Sequence, residues 1–252
     1  MYKNKYKEKL KAGKQCCAMA NATWYDPVLA EMAGLAGFDA ITLDCEHACV
    51  SRAQILEFIR ACEATNIIPV IRVSDNNPGP ILQILDAGAM GITIPDIHNA
   101  EEAKAAVDAV KYPPMGKRGL STTRASDYGL GMKLSEYTTV ANEETVLTLM
   151  IENEEAVKNI DEILDVPGID CVLLGTTDLS LSLGHPGDRN HPDVVAAVDK
   201  VIAAARTKKI PLGTVLRAGQ DPKEEMEKGY GMMMMSFSSI ISSGLKNFIK
   251  QF

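Results

Sequence analysis

The chain has 252 residues, of which 46% are hydrophobic and 23% charged, and its formal net charge is −7. These values are typical of one globular domain over residues 1–252, and an acidic chain without a basic cluster is a poor partner for nucleic acid. The Lys-rich start, residues 3–14, is not followed by an apolar run of about 18 residues. We therefore expect no signal peptide, no membrane contact and a cytoplasmic location.

Short apolar runs and helical segments alternate along the chain. The pattern predicts strands at 16–20, 40–43, 67–73, 91–95, 146–151, 171–174, 212–215 and 232–235. It predicts helices at 26–36, 51–65, 78–87, 99–110, 154–164, 193–207, 222–228 and 239–249, the second of them with a capping box at Ser51 and Gln54. Such alternation predicts an α/β fold with a parallel sheet, and about eight units predict a closed (β/α)8 TIM barrel.

Two stretches need separate comment. Residues 115–145 contain four glycines and little apolar periodicity, so we expect a functional loop or a subunit contact there, with a further strand near 118–121 counted as the fifth. The methionine run at 232–235 is typical of a buried strand rather than of a cofactor site. The six cysteines lie mostly in apolar runs and form no C-x-x-C pair, so we expect neither disulfides nor a Cys-based zinc site.

Polar side chains follow four of the predicted strands directly. Because the carboxyl ends of parallel strands meet at one rim, these side chains should share a site. They suit a site that holds a metal and an anion. The residues concerned are Asp44, Glu46 and His47 after the second strand, Arg72 after the third, Glu152 after strand 146–151, and Gly175, Thr176, Thr177 and Asp178 after strand 171–174.

Glu152 and Asp178 follow strands separated by one helix, so they should be neighbours. Either residue alone could cap a turn or solvate a loop, but two oxygen ligands on adjacent strands favour a metal site. With the remaining positions left to water and substrate, Mg²⁺ or Mn²⁺ is the expected ion, with Co²⁺ as an alternative.

His47 and Arg72 are the candidate groups for proton transfer and anion binding. Asp44 lies three residues before His47, and an Asp–His contact would orient the ring as a general base. Glu46 is the rival for that role. Arg72 could bind a carboxylate or enolate oxygen, or could form an ion pair with Asp44, Glu46 or Asp86.

Seven segments in colinear order resemble the metal-dependent (class II) pyruvate aldolases of the hydroxy-oxo-heptanedioate aldolase family, which is citrate lyase-like. The resemblance covers roughly the whole chain. The segments are FDAITLDCEH at 38–47, IPVIR at 68–72, DAGAMGITIP at 86–95, NAEEA at 99–103, YPPMGKRG at 112–119, IE at 151–152 and GTTDLS at 175–180.

The resemblance implies a barrel of the phosphoenolpyruvate/pyruvate type whose last helix is exchanged between subunits, in a hexamer or trimer of dimers. It also implies reversible cleavage of a 4-hydroxy-2-oxo acid to pyruvate and an aldehyde, with Glu152 and Asp178 as the metal ligands. Arg72 would bind the pyruvate oxygens and stabilise the enolate. No predicted strand end offers a lysine for a Schiff base, which agrees with a metal-dependent rather than a lysine-dependent aldolase.

Further roles come from the same resemblance. His47, paired with Asp44, would carry out acid–base chemistry through a metal-bound water. Asp86 would support the site near a subunit contact, and the backbone at Thr177 and Asp178 would meet the substrate carboxylate. Aldehyde specificity would depend on the loop after the third strand, on residues 121–132 and on a neighbouring subunit.

The chain departs from the family pattern in three places. Met150 stands where the family usually has Gln, Gly-Thr-Thr-Asp at 175–178 replaces Gly-Pro-Ala-Asp, and residues 235–238 read Met-Ser-Phe-Ser. Two alternatives therefore stay open, namely an acyl-CoA lyase of the same superfamily and a non-catalytic relative that binds oxo acids. Metal-stimulated exchange of the pyruvate methyl protons would separate an enzyme from a binding protein.

Overall fold

Eight parallel strands close into a barrel in the computed structural model, which describes residues 2–13, 15–217 and 219–252. Each strand pairs with the next along the chain and the last pairs with the first, as the alternating pattern predicts. The strands are β1 (Cys17–Ala22), β2 (Ala40–Asp44), β3 (Ile68–Arg72), β4 (Gly91–Ile94), β5 (Val146–Ile151), β6 (Cys171–Leu174), β7 (Leu212–Val215) and β8 (Met232–Ser236).

Twelve α-helices within the described residues cover the barrel. They are α1 (Lys5–Ala12), α2 (Pro27–Ala36), α3 (Arg52–Thr65), α4 (Pro78–Ala87), α5 (Ala100–Val110), α6 (Leu134–Glu144), α7 (Glu154–Lys158), α8 (Ile160–Leu164), α9 (Thr176–Ser182), α10 (Pro192–Lys208), α11 (Pro222–Lys228) and α12 (Phe237–Ile249). The predicted capping box is present, because Ser51 and Gln54 each accept a hydrogen bond from the other's backbone N–H at the start of α3. None of these helices is both long and apolar enough to cross a membrane.

Alternate residues of each strand face opposite sides of the barrel wall. In β8, Met232 and Met234 pack inside the barrel, whereas Met233 packs outward against the helices, so the methionine run is a barrel strand as predicted. The helix α1 closes the amino-terminal end of the barrel by inserting Tyr6 and Leu10 into the same interior cluster. All six cysteines are free thiols.

The prediction for residues 115–145 was wrong in two respects. No strand ladder forms at 118–121, and the fifth strand is β5. The same stretch contains a short 3₁₀ helix (Arg124–Gly129) and the helix α6. The sequence pattern hid α6 because it buries only Tyr137 and Ala141, with the Tyr137 ring edge-on to Tyr112 at 5.9 Å between centroids.

Three other helical segments differ from the prediction, the first being α1, which was not predicted. The predicted helix over 154–164 is two short helices, α7 and α8, that meet at Asn159. The short helix α9 begins directly after Gly175 and was not predicted, so Thr177 and Asp178 lie in a first helical turn rather than in a loop.

Candidate active site

A cavity of about 310 Å³ opens at the carboxyl ends of the strands, where the sequence places its polar residues. Residues two places apart on a strand face the same side of the barrel wall. Asp44, Arg72 and Met150 therefore share the side of Thr42, Val70 and Thr148, and they lie at the barrel mouth. The cavity wall includes His47, Arg72, Met150, Thr177, Asp178 and Arg189.

Asp44 and Arg72 form a buried ion pair that the strand register sets up. The two residues are direct partners between β2 and β3. Arg72 Nε donates to Asp44 Oδ1 at 3.0 Å, and Arg72 Nη2 donates to Asp44 Oδ2. Burial alone would raise the pKa of Asp44, but the hydrogen bond and charge of Arg72 outweigh it and lower that pKa below its ordinary value. The pair therefore keeps a full negative charge on Asp44 and fixes the plane of the guanidinium.

Glu46 is the second carboxylate on this guanidinium. Its Oε2 lies 2.9 Å from Arg72 Nη1. Burial raises the pKa of Glu46 in spite of that cation. Arg72 is thus bound by two carboxylates. Met150, which stands where the family usually has Gln, places its Sδ 3.8 Å from Arg72 Nη1.

The structure contradicts the predicted pairing of Asp44 with the His47 ring. Asp44 Oδ1 instead accepts from the backbone N–H groups of Glu46 at 3.1 Å and His47 at 3.2 Å. The turn after β2 wraps around the carboxylate and directs the ring away from it. His47 Nε2 lies 3.7 Å from Glu46 Oε2, and its side chain is 63% exposed on the cavity wall. Glu46 is therefore the carboxylate beside the His47 ring.

Glu152 extends from the end of β5 and is only 6% exposed. Its Oε1 accepts from the Asp96 backbone N–H at 2.7 Å. Burial, opposed by that hydrogen bond and assisted by the charges of Glu46 and Asp178, raises the pKa of Glu152 to about 7. Gly175 lies against this carboxylate, since a Cβ there would be 2.4 Å from Glu152 Oε2. The close approach of Gly175 leaves no room for a side chain above Glu152.

The donor set of Glu152 and Asp178 fits a hard divalent cation. Besides burial, the negative charge of Asp178 raises the pKa of both Glu46 and Glu152, and that of Glu46 adds to the rise at Glu152, so the three carboxylates lie close to one another. Asp178 lines the cavity from the first turn of α9. Oxygen donors with space beside them match Mg²⁺ or Mn²⁺, which retain water and substrate oxygens as further ligands.

Another group of metal-type ligands lies at the start of α10. His185 Nε2 and His191 Nδ1 are 3.0 Å and 3.5 Å from Asp193 Oδ2, and no other three such ligand atoms in the described residues lie within 4.8 Å of one another. The two rings stack with centroids 3.3 Å apart and planes 18° apart, so their in-plane lone pairs run side by side rather than toward one ion. His191 also accepts from the Asp193 backbone N–H, which makes it a cap for α10.

Asp86 does not join the other predicted residues within this chain. It lies in the last turn of α4, and its Oδ1 accepts from Arg118 Nη2 at 2.8 Å. Helices of a (β/α)8 barrel run back toward the amino-terminal face, so a residue late in a helix is at the opposite end from the site. Within one chain Asp86 therefore lies away from this cavity, and its role in support of the site near a subunit contact stays a prediction.

Arg189 is the cavity residue that sequence reasoning missed. It lies on the loop between α9 and α10, lines the cavity, and donates from Nη2 to Thr177 Oγ1. No strand-end pattern points to it, because it comes 15 residues after the end of β6 at Leu174. A charged residue in a long loop after a site strand was the available signal.

The chain belongs to the HpcH/HpaI aldolase/citrate lyase family, whose model matches residues 22–242. It is similar to 2-dehydro-3,6-dideoxy-6-sulfogluconate aldolase from Pseudomonas putida, with 36% identity covering 86% of this chain and 88% of the relative. It is also 36% identical to 4-hydroxy-2-oxo-heptane-1,7-dioate aldolase from Klebsiella pneumoniae, covering 90% of this chain and 84% of the relative.

Solved structures agree with this assignment. An HpcH/HpaI aldolase/citrate lyase family protein from Burkholderia cenocepacia superposes with a TM-score of 0.92 at 28% identity, covering 98% of both chains. An HpcH/HpaI aldolase from Desulfitobacterium hafniense gives a TM-score of 0.89 at 29% identity, covering 97% of this chain and 95% of that one. The predicted fold and the family resemblance are therefore confirmed.

Proposed function

We propose that this protein is a divalent-metal-dependent aldolase that reversibly cleaves a 4-hydroxy-2-oxo acid to pyruvate and an aldehyde through a pyruvate enolate. The observation that carries the proposal is that Glu152 is buried directly beside Gly175, while Gly175, Asp178 and the fixed Arg72 guanidinium line one cavity. Family membership supports the same reaction class. Mg²⁺ or Mn²⁺ is the proposed ion, with Co²⁺ as an alternative.

Glu152 and Asp178 would hold the metal, which when bound supplies a Lewis acid for the 2-oxo acid. Arg72 adds a second positive group. Its orientation is fixed before substrate binds, because Asp44 and Glu46 both form ion pairs with its guanidinium. A preorganised cation stabilises charge that develops on the enolate oxygen without reorganising during the reaction. The backbone at Thr177 and Asp178, in the first turn of α9, would meet the substrate carboxylate.

His47 is the proposed proton acceptor during cleavage. The proton of the C4 hydroxyl passes to the imidazole, the C3–C4 bond breaks, and its electron pair remains in the pyruvate enolate. Glu46, whose Oε2 lies 3.7 Å from His47 Nε2, stabilises the imidazolium that results. Protonation of the enolate at C3 then gives pyruvate, and the reverse sequence forms the new bond.

Steady-state cleavage assays on Glu152→Ala and Asp178→Ala test the metal assignment. We expect each variant to lose about 100-fold or more of its pyruvate-forming activity, because the lost charge stabilisation amounts to several kcal/mol. Glu154→Ala is the matched control, since Glu154 is an exposed carboxylate two residues away that pairs with Lys158. Intact activity in both site variants would show that the metal ligands are wrongly assigned.

We also propose that α12 packs against another subunit in a hexamer or trimer of dimers. The helix exposes the side chains of Ile240, Ile241, Leu245, Phe248 and Ile249, which is an apolar face too large to leave in water. Leu245→Glu should reduce the mass measured by light scattering, whereas Lys250→Glu should not.

A cytoplasmic location is part of the proposal, since the cysteines are free thiols.

A further inference from the structure

The wall of the catalytic cavity contains a second arginine besides Arg72. Arg189 lines this cavity together with Arg72, and its observed hydrogen-bond partner is the neutral hydroxyl of Thr177. Across residues 2–13, 15–217 and 219–252, no carboxylate oxygen lies within ion-pair distance of Arg189. An arginine without a carboxylate partner at the edge of a substrate cavity is available to bind an anion.

Arg217, two residues beyond the end of β7, lies near Arg189. Burial, followed by the positive charge of Arg189, lowers the pKa of Arg217. Both arginines line a second cavity of about 500 Å³, which shares Thr176, Arg189 and Val215 with the catalytic cavity. The two cavities are therefore neighbours, and Arg189 stands between them.

The other cations of the second cavity already have partners. Lys228 Nζ donates to Glu225 Oε1 at 2.7 Å, and Arg206 Nη2 donates to the Lys228 carbonyl at 3.1 Å. Arg217 has no carboxylate within ion-pair distance in the part of the chain that the structure describes. Glu225 lines the same cavity, and its charge acts on Arg217 from beyond ion-pair distance. Arg189 and Arg217 are like charges that face one cavity, so an anion bound between them removes their mutual repulsion.

We propose that Arg189 and Arg217 bind an anionic group at the far end of the aldehyde portion of the substrate. This inference rests on the proposed aldolase function, in which the 2-oxo acid end lies against Glu152, Asp178 and Arg72. The C4 substituent then extends along the wall formed by Thr177 toward Arg189. Planar guanidinium groups bind carboxylate, phosphate or sulfonate oxygens in pairs, so the pair selects 4-hydroxy-2-oxo acids that carry a second negative charge.

The test compares two aldehydes of equal size in condensation with pyruvate, one ending in a carboxylate and the other in the corresponding primary amide. The measured quantity is the ratio of their kcat/KM values for wild type, Arg189→Met and Arg217→Met. We expect the wild type to prefer the carboxylate by about 10- to 100-fold, in line with charge-assisted hydrogen bonds, and each variant to lose most of that ratio through a higher KM. Aldehydes ending in phosphate or sulfonate identify which anion is preferred.

Arg60→Met, which removes an exposed arginine on α3, is the matched control and should keep the wild-type ratio. A wild type that does not distinguish the two aldehydes would overturn the proposal. Variants that lose activity on both aldehydes equally would also overturn it, because a structural role lowers both rates and leaves their ratio unchanged. Exchange of the pyruvate methyl protons, measured on the wild type without any aldehyde, reports on the proposed function separately. Its absence would remove the basis of both proposals.

Discussion

Replacing Asp44 with Asn removes the carboxylate that binds the Arg72 guanidinium through two hydrogen bonds. Asp44 is 1% exposed, and its two oxygens accept from Arg72 Nε and Nη2 as well as from the backbone N–H groups after β2. Breaking a buried ion pair by removing one partner costs about 3–5 kcal/mol. Because Glu46 still lies 2.9 Å from Arg72 Nη1, we expect a loss of about 3 kcal/mol, at the lower end of that range.

Urea denaturation measures this loss as the difference in unfolding free energy between Asp44→Asn and wild type. The matched control is Asp165→Asn, whose carboxylate is 64% exposed and pairs with Lys208 at the surface, and we expect it to cost less than about 1 kcal/mol. Catalysis should also fall by about 100-fold in Asp44→Asn, because Arg72 is no longer held in one orientation.

The pH dependence of this difference has a definite sign. The pKa of Asp44 is lower in the folded state than its ordinary value of 3.8, so its contribution is fully present above that pH. The contribution is lost as the pH falls through the folded-state pKa. The gap between wild type and Asp44→Asn should therefore be constant near neutrality and shrink in strong acid. A gap below about 1 kcal/mol at neutral pH would refute the view that Asp44 is the main support of Arg72.

Three further predictions address other parts of the molecule. Gly175→Ala places a methyl group 2.4 Å from Glu152 Oε2, so isothermal titration calorimetry should show weaker Mn²⁺ binding than in wild type. Asp170→Asn leaves the buried ammonium groups of Lys7 and Lys111 without a counter-charge, and urea denaturation should show a loss of about 3–5 kcal/mol. Burial lowers the pKa of Lys7 below its ordinary value of 10.5, so the unfolded state binds more protons in the interval between the two values. The stability of wild type relative to Lys7→Met should accordingly rise with pH across that interval, and a fall would contradict the assignment.

The barrel was predictable because its signal is repeated eight times. Each strand is a short apolar run followed by a helix, and local errors such as the strand expected at 118–121 do not change the count of units. The helix α6 was not predictable by periodicity, since its buried face is limited to Tyr137 and Ala141. Whether an apolar pattern shows in the sequence depends on how much of a helix the fold buries.

The site was predictable where strand order fixes position and not where side-chain direction decides contacts. Strand ends placed Arg72 and Glu152 at one rim, and the β2–β3 register explains the pairing of Asp44 with Arg72. The direction of the His47 ring depends on a turn that closes around Asp44, and spacing alone does not encode that turn. Arg189 reaches the cavity from a loop, where neither period nor register applies.

Hydrogen–deuterium exchange at the pyruvate methyl group, followed by NMR, tests the central claim most directly. The protein is stripped with a chelator and measured with and without Mg²⁺ or Mn²⁺, so no aldehyde needs to be known. A metal-stabilised enolate predicts exchange that appears on adding the ion and is lost in Glu152→Ala and Asp178→Ala. Exchange that is absent with both ions, or that continues unchanged in the stripped protein and in both variants, would contradict the account.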